Sequence, residues 1–189
     1  MPRTSTRARV LSAAGQILRR RGYSQLTMEG VAAASGVAKT TLYRQWPTKA
    51  ALCMDLYLDT SARELQIPDT GDIEHDLRHI VRTVVHLQTR TVAGPAFLGL
   101  IAEALVNPGT RAAFLAEFAD RRRQVTRAVL QRARDRGEIH SGADIDLIID
   151  TLGGAVTFRL LQGHAPLNAR FANAVIKLLL EGCRKKGSR

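Results

Sequence analysis

The stretch TMEGVAAASGVAKTTLYRQWPTK, residues 27–49, is the most informative part of the chain. It predicts two short helices separated by a turn at Ser35-Gly36-Val37, because a serine-glycine pair interrupts helical periodicity. In the second helix Leu42 and Trp46 lie four residues apart and therefore share one face. Its other side carries lysine, threonine, tyrosine, arginine and glutamine. A helix that a tight turn holds against a partner can present such side chains to the DNA major groove, so the stretch predicts a DNA-binding head.

The charge of the chain indicates a polyanionic partner. Its 189 residues carry a formal net charge of +11, and 45% of them are hydrophobic, which is enough to build a core. The excess is concentrated at the start, since residues 1–56 contain nine cations and two anions, a balance of +7. A second basic run extends from Arg121 to Arg136. That run is more typical of a solvated helix face than of a second nucleic-acid site.

Hydrophobic periodicity predicts an all-α fold of about nine helices and no strand. Thr27 and Thr48 are expected N-caps, and Gly22 is an expected helix end. Residues 1–49 are predicted to form a helix-turn-helix DNA-binding domain, and residues 50–189 a helical effector-binding and dimerisation domain. The expected helices cover residues 4–21, 28–34, 38–46, 49–66, 73–91, 95–105, 110–136, 144–162 and 167–185.

Residues 36–49, GVAKTTLYRQWPTK, resemble the DNA-binding head of the tetracycline-repressor (TetR) family, and the resemblance extends over residues 4–58. It implies an all-helical bacterial homodimer, with a three-helix head that binds operator DNA and a variable body that binds a small molecule. One position departs from the pattern, because Ala38 stands where members often have a serine that caps the recognition helix. Alanine cannot cap, so a phosphate contact at this position is in doubt.

The resemblance also implies which residues bind DNA. Tyr43 and Lys49 are expected to contact phosphate, together with backbone N–H groups at the Thr27 end of the second helix. Arg44 is the first choice for reading a base, because a guanidinium can form two bonds to guanine. Alternatively, Lys39 and Arg44 are ordinary surface charges and Tyr43 is a packing residue. The predicted DNA-binding set is Thr27, Lys39, Thr40, Thr41, Tyr43, Arg44, Gln45 and Lys49. Arg3, Arg7 and Arg9 are further candidates for the DNA backbone or minor groove.

The last two predicted helices have more apolar residues than one buried stripe requires, which favours a dimer interface. Gly153-Gly154-Ala155 would allow another helix to approach closely. The alternative is that these residues form an internal core face. The predicted interface set is Ile148, Leu152, Val156, Leu160, Phe171, Val175, Leu178 and Leu179.

A pocket in the helical body is predicted from its aromatic residues, with a filled core as the alternative for each of them. Few charges fall on the predicted inner faces, so a small hydrophobic or aromatic effector fits better than a charged one. The predicted ligand-binding set is Tyr57, His86, Phe97, Ile101, Phe114, Phe118 and Phe158.

Other functional classes find less support in the sequence. It has no Gly-rich phosphate loop, no nucleophile elbow and no plausible carboxylate pair, so an enzyme is not expected. Cys53 and Cys183 lack metal-ligand spacing and suit a reducing cytoplasm. His75 and His79 have a spacing that can bind zinc, but without a nearby third ligand they are interpreted as surface histidines, and neither metal nor cofactor is expected. No apolar stretch approaches the roughly 20 residues that span a bilayer, so membrane association is not expected.

The sequence therefore predicts a cytoplasmic, ligand-responsive transcriptional regulator that binds a palindromic double-stranded DNA operator as a dimer, more readily a repressor than an activator. The alternative is a helical small-molecule-binding protein that has lost operator binding.

Overall fold

The computed structural model of the protein describes residues 5–64 and 66–183, apart from the side chains of residues 117 and 118. Within these ranges all regular structure is helical: nine helices follow one another and no strand is formed. The predicted all-α class and the predicted number of helices are therefore confirmed.

The first six helices are α1 (Thr6–Arg21), α2 (Met28–Ser35), α3 (Lys39–Gln45), α4 (Lys49–Glu64), α5 (Ile73–Arg90) and α6 (Ala93–Val106). Helix α7 consists of Pro108–Ala113, a π-helical segment Phe114–Ala119 and Asp120–Asp135, and it is followed by α8 (Ile145–Gln162) and α9 (Ala169–Cys183).

Two helices begin earlier than the sequence predicts. Helix α6 begins at Ala93 and not at Pro95, and α7 begins at Pro108 and not at Thr110. The physical reason is the same for both, since proline is tolerated in the first helical turn, where its missing N–H would have no helical partner. Proline therefore lies inside these helices and not at the breaks before them.

Side-chain caps fix several of the helix starts. The hydroxyl oxygens of Thr27 and Thr48 accept hydrogen bonds from the backbone N–H groups of Gly30 and Ala51, each at 3.0 Å. Both predicted N-caps are confirmed, and each satisfies one of the backbone donors that a helix start leaves free. These caps set the starts of α2 and α4, the helices on either side of α3.

The chain divides into two compact units. Unit 1 comprises Met1–Arg63 and Arg90–Phe118, and unit 2 comprises Glu64–Thr89 and Ala119–Arg189. The functional boundary predicted after residue 49 falls inside unit 1 and stays a prediction.

In unit 1, Tyr23 joins the start of the chain to α6. Its hydroxyl donates a 2.6 Å hydrogen bond to Glu103, and the other carboxylate oxygen of Glu103 accepts one from the Thr110 hydroxyl at 3.1 Å. A Cβ atom at position 99 would lie 2.0 Å from the Tyr23 ring, so only glycine fits there. Burial and the hydrogen bond to Glu103 raise the pKa of Tyr23 above its ordinary range, which keeps the hydroxyl a donor.

The core of unit 2 is formed by apolar residues of α5, α7, α8 and α9. Across it, Arg123 and Arg127 of α7 both bond to Asp146 of α8, and Arg127 and Arg123 together lower the pKa of the Asp146 carboxyl to about 2. Arg132 and Arg136 lie 3.3 and 3.6 Å from Asp69. Much of the basic run that the sequence assigned to a solvated face is therefore used in ion pairs within the unit.

No single helix among the described residues is both long and apolar enough to cross a bilayer, and α5 and α6 reach that length and composition only when they are taken together.

Candidate nucleic-acid interface

The turn between α2 and α3 has a defined geometry. Gly36 adopts a left-handed conformation with φ 65°, and the N–H of Val37 returns a hydrogen bond to the carbonyl of Ala32 at 3.3 Å. The guanidinium of Arg9 donates to the carbonyl oxygens of Ser35 and Gly36 at 3.0 and 3.1 Å. Glycine suits the left-handed position because it has no Cβ, and Arg9 satisfies carbonyls that the end of α2 leaves free. The turn that orients α3 is thus stabilised both by the bond from Val37 and by the bonds from Arg9.

Helix α3 is anchored on one face and exposed on the other. Leu42 is fully buried and Trp46 is 3% exposed, so both are core residues, as predicted. The Trp46 indole N–H donates to Asp55 of α4 at 3.0 Å, and Asp55 also accepts two bonds from Arg7 of α1, at 2.7 and 3.1 Å. The end of α3 is therefore fixed to α4 and, through Asp55, to Arg7 of α1.

The polar residues that the sequence assigns to DNA share the remaining surface of α3. Thr41 is half-buried, and the rest of that surface is exposed, including the predicted base-reading residue Arg44. At the start of the helix Ala38 makes no side-chain cap bond, as expected for alanine. The exposed residues of α3 are Lys39, Thr40, Tyr43, Arg44 and Gln45.

Thr27 and Lys49, two of the residues predicted to bind DNA, already have partners in the protein. The Thr27 hydroxyl accepts the capping bond from Gly30, and the Lys49 ammonium lies over the Tyr23 ring, 4.5 Å from its centre. A cation held against an aromatic face loses part of its freedom before any ligand arrives. Lys49 thus lies beside Tyr23, the residue that contacts α6.

The arginines before and within α1 have roles that sequence reasoning missed. Arg7 pairs with Asp55 and, at 2.8 Å, with Asp59 of α4, and Arg9 bonds the α2–α3 turn. Both guanidinium groups are therefore used inside unit 1, whereas Arg3 lies outside the described residues. Their partners are 26 to 52 positions away in the chain, which explains why local pattern did not indicate them.

Glu29 is a further member of this surface that the sequence analysis did not name. The Tyr43 hydroxyl donates a 3.0 Å hydrogen bond to Glu29 in the first turn of α2. The backbone amide of Glu29 and this bond lower the pKa of the Glu29 carboxyl, and the bond raises the pKa of Tyr43. The hydroxyl expected to contact phosphate is therefore bound to a carboxylate in the free protein. A DNA phosphate that binds here must either displace the Tyr43–Glu29 bond or lie next to the negative charge of Glu29.

Glu29→Gln is expected to tighten DNA binding roughly two- to fivefold, the size of one exposed charge interaction. The change removes the negative charge next to Tyr43 and keeps the shape of the side chain. Titration of labelled DNA at fixed salt measures the effect, with Asp135→Asn as the control, because Asp135 is an exposed carboxylate of α7. Equal tightening in both variants, or none in Glu29→Gln, would show that the Tyr43–Glu29 bond does not restrain binding.

The residues predicted for a dimer interface fall into two groups. Four of them pack inside unit 2 and leave little surface for a partner, because they are only 5–9% exposed: Ile148, Leu152, Val156 and Leu179. The other four reach the surface of the unit, with Leu178 75% exposed and three half-buried residues, Leu160, Phe171 and Val175.

Helix α8 has a second apolar surface that points away from this core. Leu147, Phe158 and Leu161 are 63%, 60% and 51% exposed. With Thr151 and Gly154 they recur every three or four residues and therefore lie on one face. A Cβ built at Gly154 meets no atom within 4 Å, so none of the described residues packs there. Sequence reasoning missed Leu147 and Leu161, and it assigned Phe158 to ligand binding.

The residues predicted for ligand binding are spread over both units. In unit 1 the rings of Tyr57 and Phe97 are 5.9 Å apart, and those of Phe97 and Phe114 are 6.4 Å apart. Tyr57 and Phe97 are buried, and Ile101 and Phe114 are half-buried. In unit 2, His86 and Phe158 are exposed on α5 and α8. The Phe118 side chain, which belongs to unit 1, lies outside the described part of the structure. Of the described members of this set, the aromatic residues of α4, α6 and α7 lie together.

A short polar helix that follows a glycine turn and is anchored by Leu42 and Trp46 defines a helix-turn-helix DNA-binding protein. Two family models match the chain: residues 10–55 match the bacterial regulatory proteins of the tetR family, and residues 67–179 match the tetracyclin repressor-like C-terminal domain. The chain belongs to the TetR family and is a DNA-binding transcriptional regulator.

Individual relatives match this chain over nearly its whole length. The chain is 33% identical over 187 residues to the DNA-binding transcriptional repressor TetR of Mycobacteroides abscessus, covering 96% of this chain and 95% of that protein. It is 28% identical to the uncharacterized HTH-type transcriptional regulator YdeS of Bacillus subtilis, covering 94% and 89%. The crystal structure of the TetR family transcription regulator SCO0332 is similar with a TM-score of 0.81 and 38% identity, covering 95% of this chain and 98% of that chain. All three relatives are named as regulators of transcription.

Proposed function

We propose that the chain is a ligand-responsive repressor that binds a palindromic operator as a homodimer. The observation that carries the proposal is the geometry of α3, whose surface from Lys39 to Gln45 is largely exposed and polar while Leu42 and Trp46 hold it to the rest of the head. A short, anchored helix with such a surface fits the major groove.

Within the complex, the side chains divide into those that position the head and those that read bases. Lys39, Tyr43 and Lys49 contact phosphates, and the start of α2 at Thr27 adds backbone N–H groups. Arg44 pairs with a guanine, and Thr40, Thr41 and Gln45 complete the contact surface. This division is supported by exposure, because the residues on the outer side of α3 can reach DNA without a change in the fold.

The exposed apolar faces of α8 and α9 support a dimer. Leu147, Phe158, Leu161 and Leu178 are more than half exposed, an unusual concentration of large apolar side chains for a free surface. Two copies of α8 could approach closely at Gly154, and the interface would repeat the same patch on both subunits. A second subunit would also supply a second head, which a palindrome requires.

The aromatic residues of unit 1 support an effector site near the contact between Tyr23 and α6. Phe97, Ile101 and Glu103 lie on the same helix, and Glu103 bonds both Tyr23 and Thr110. A small hydrophobic or aromatic molecule that separates the Tyr57, Phe97 and Phe114 rings would move α6 and with it this contact. Such a ligand would lower operator affinity by the difference in its own affinity for the two conformations.

Selection of bound genomic fragments by the full-length protein tests the proposed function. We expect the recovered fragments to share an inverted repeat, with half-sites about one helical turn apart or a multiple of it. Binding should weaken steeply with salt, because phosphate contacts release counterions. Recovery of fragments without any shared inverted repeat would overturn the proposal of a palindromic operator.

A further inference from the structure

A groove of about 360 Å³ lies along the polar face of helix α5, within unit 2. It is lined by histidines, arginines and a threonine of this helix and by one glutamate at the end of α4. These lining residues are His75, Arg78, His79, Arg82, Thr83, His86 and Glu64. Its volume falls within the range of roughly 300–1,000 Å³ that is usual for small-molecule sites.

The lining residues form a continuous surface because of their spacing. His75, His79, Arg82 and His86 follow one another at intervals of four, three and four residues, which places them on one helix face. Their imidazole and guanidinium groups are therefore directed to the same side of α5. Imidazole and guanidinium N–H groups are hydrogen-bond donors, so the groove offers several donors to one ligand.

The guanidinium groups of the groove are not fully used by the protein. Arg78 donates to Glu74 at 2.6 Å through one terminal nitrogen, while its Nε is buried and has no hydrogen-bond partner in the described structure. Arg82 makes no hydrogen bond or ion pair with the described residues, and Glu64 is paired with neither arginine there. Arg82 and the exposed part of the Arg78 guanidinium are therefore the donors that a ligand in the groove can reach.

Several arginines of α7 in the same unit are paired with carboxylates. Arg123 and Arg127 bond to Asp146, and Arg132 lies 3.3 Å from Asp69. These three guanidinium groups of α7 have carboxylate partners within the unit, whereas Arg82 of the groove has none among the described residues. The three histidines of the groove do not meet as metal ligands, since no set of three or more His, Cys, Asp or Glu in the described residues could hold a metal ion.

We infer that this groove binds a small molecule that carries a carboxylate or phosphate group. Arg78 and Arg82 would bind the anionic group by charge-assisted hydrogen bonds, and the Thr83 hydroxyl and the histidines would contact the rest of the molecule. The site differs in its chemistry from the aromatic residues proposed above for a hydrophobic effector. Of the residues predicted for ligand binding, only His86 belongs to it.

Calorimetric titration of the full-length protein with citrate and with inorganic pyrophosphate, at constant ionic strength, tests this inference. We expect saturable binding of at least one of these anions. Arg82→Gln should weaken it about tenfold, the loss of one charge-assisted hydrogen bond. Arg121→Gln is the matched control, because Arg121 is exposed in the same unit and pairs with no described residue, and it should leave the affinity unchanged.

Histidine NMR signals locate the binding independently of charge. The imidazole resonances of His75, His79 and His86 should shift on titration, while those of His140 and His164, which do not line the groove, should stay in place. The inference would be overturned if neither anion bound saturably, if Arg121→Gln and Arg82→Gln weakened binding equally, or if all five histidines shifted alike. None of these outcomes bears on operator binding, so the inference and the proposed function can fail separately.

Discussion

Arg44→Ala is expected to weaken specific operator binding by about 1–3 kcal/mol, or roughly 5- to 150-fold, and to relax the preference at one base pair of each half-site. The guanidinium can form two hydrogen bonds to O6 and N7 of guanine, and no other base pair offers the same two acceptors there. Because Arg44 is exposed and bonds to no described residue of the chain, its removal should leave the fold and its melting temperature almost unchanged.

Lys39→Ala separates base reading from charge in this experiment. Lys39 is exposed on the same helix, and its loss should weaken binding to all sequences alike and reduce the salt dependence by about one phosphate contact. Competition among operators that differ at single base pairs measures both variants. If Arg44→Ala kept the full sequence preference of the wild type, Arg44 would have to be removed from the base-reading role and treated as a phosphate contact.

The architecture of the head could be predicted because its signals are local. Leu42 and Trp46 lie within one helical turn, and Thr27, Thr48 and Gly36 act on backbone groups a few residues away. Such short-range features are read directly from spacing and residue type. The position of α3 and the separation of its buried and exposed faces therefore followed from sequence alone.

Bonds between distant residues could not be predicted in this way. The bond from Tyr43 to Glu29 spans 14 positions, and that from Arg9 to Ser35 spans 26. Each depends on how two helices pack, and a basic residue near a predicted DNA surface looks the same whether its partner is a phosphate or a carbonyl. The π-helical segment Phe114–Ala119 was missed for a related reason, since it changes hydrogen-bond register without a proline or glycine to indicate it.

The predicted interface residues show what the pattern of apolar residues in a sequence cannot predict. Helix α8 is apolar on two sides, so periodicity alone does not say which side meets the core of its own subunit. The structure assigns Ile148, Leu152 and Val156 to that core, and it leaves Leu147 and Phe158 outside. The sequence predicted an excess of apolar surface on α8 and α9, but four of the eight residues it named for the partner are buried within the unit.

Leu178→Glu is expected to convert the protein to a monomer and to reduce operator affinity about 100-fold or more, because two linked heads gain roughly 10²–10⁴ in avidity over one. Leu178 is 75% exposed on α9, so the substitution should cost little stability within a subunit. In a two-fold interface each change occurs twice, and two glutamates would be buried without partners. Sedimentation velocity at micromolar protein measures the association, and DNA titration measures the affinity.

Leu105→Glu provides the matched control, because Leu105 is 80% exposed on α6, outside the proposed interface, and the chemical change is the same. If exposed leucines merely promote nonspecific association, both variants should reduce it equally. If α8 and α9 form the specific interface, Leu105→Glu should remain dimeric with full operator affinity, and only Leu178→Glu should separate into single subunits. A wild-type protein that sediments as a monomer under these conditions would refute the dimer outright, and the palindromic operator would lose its structural basis, since one α3 helix reads only one half-site.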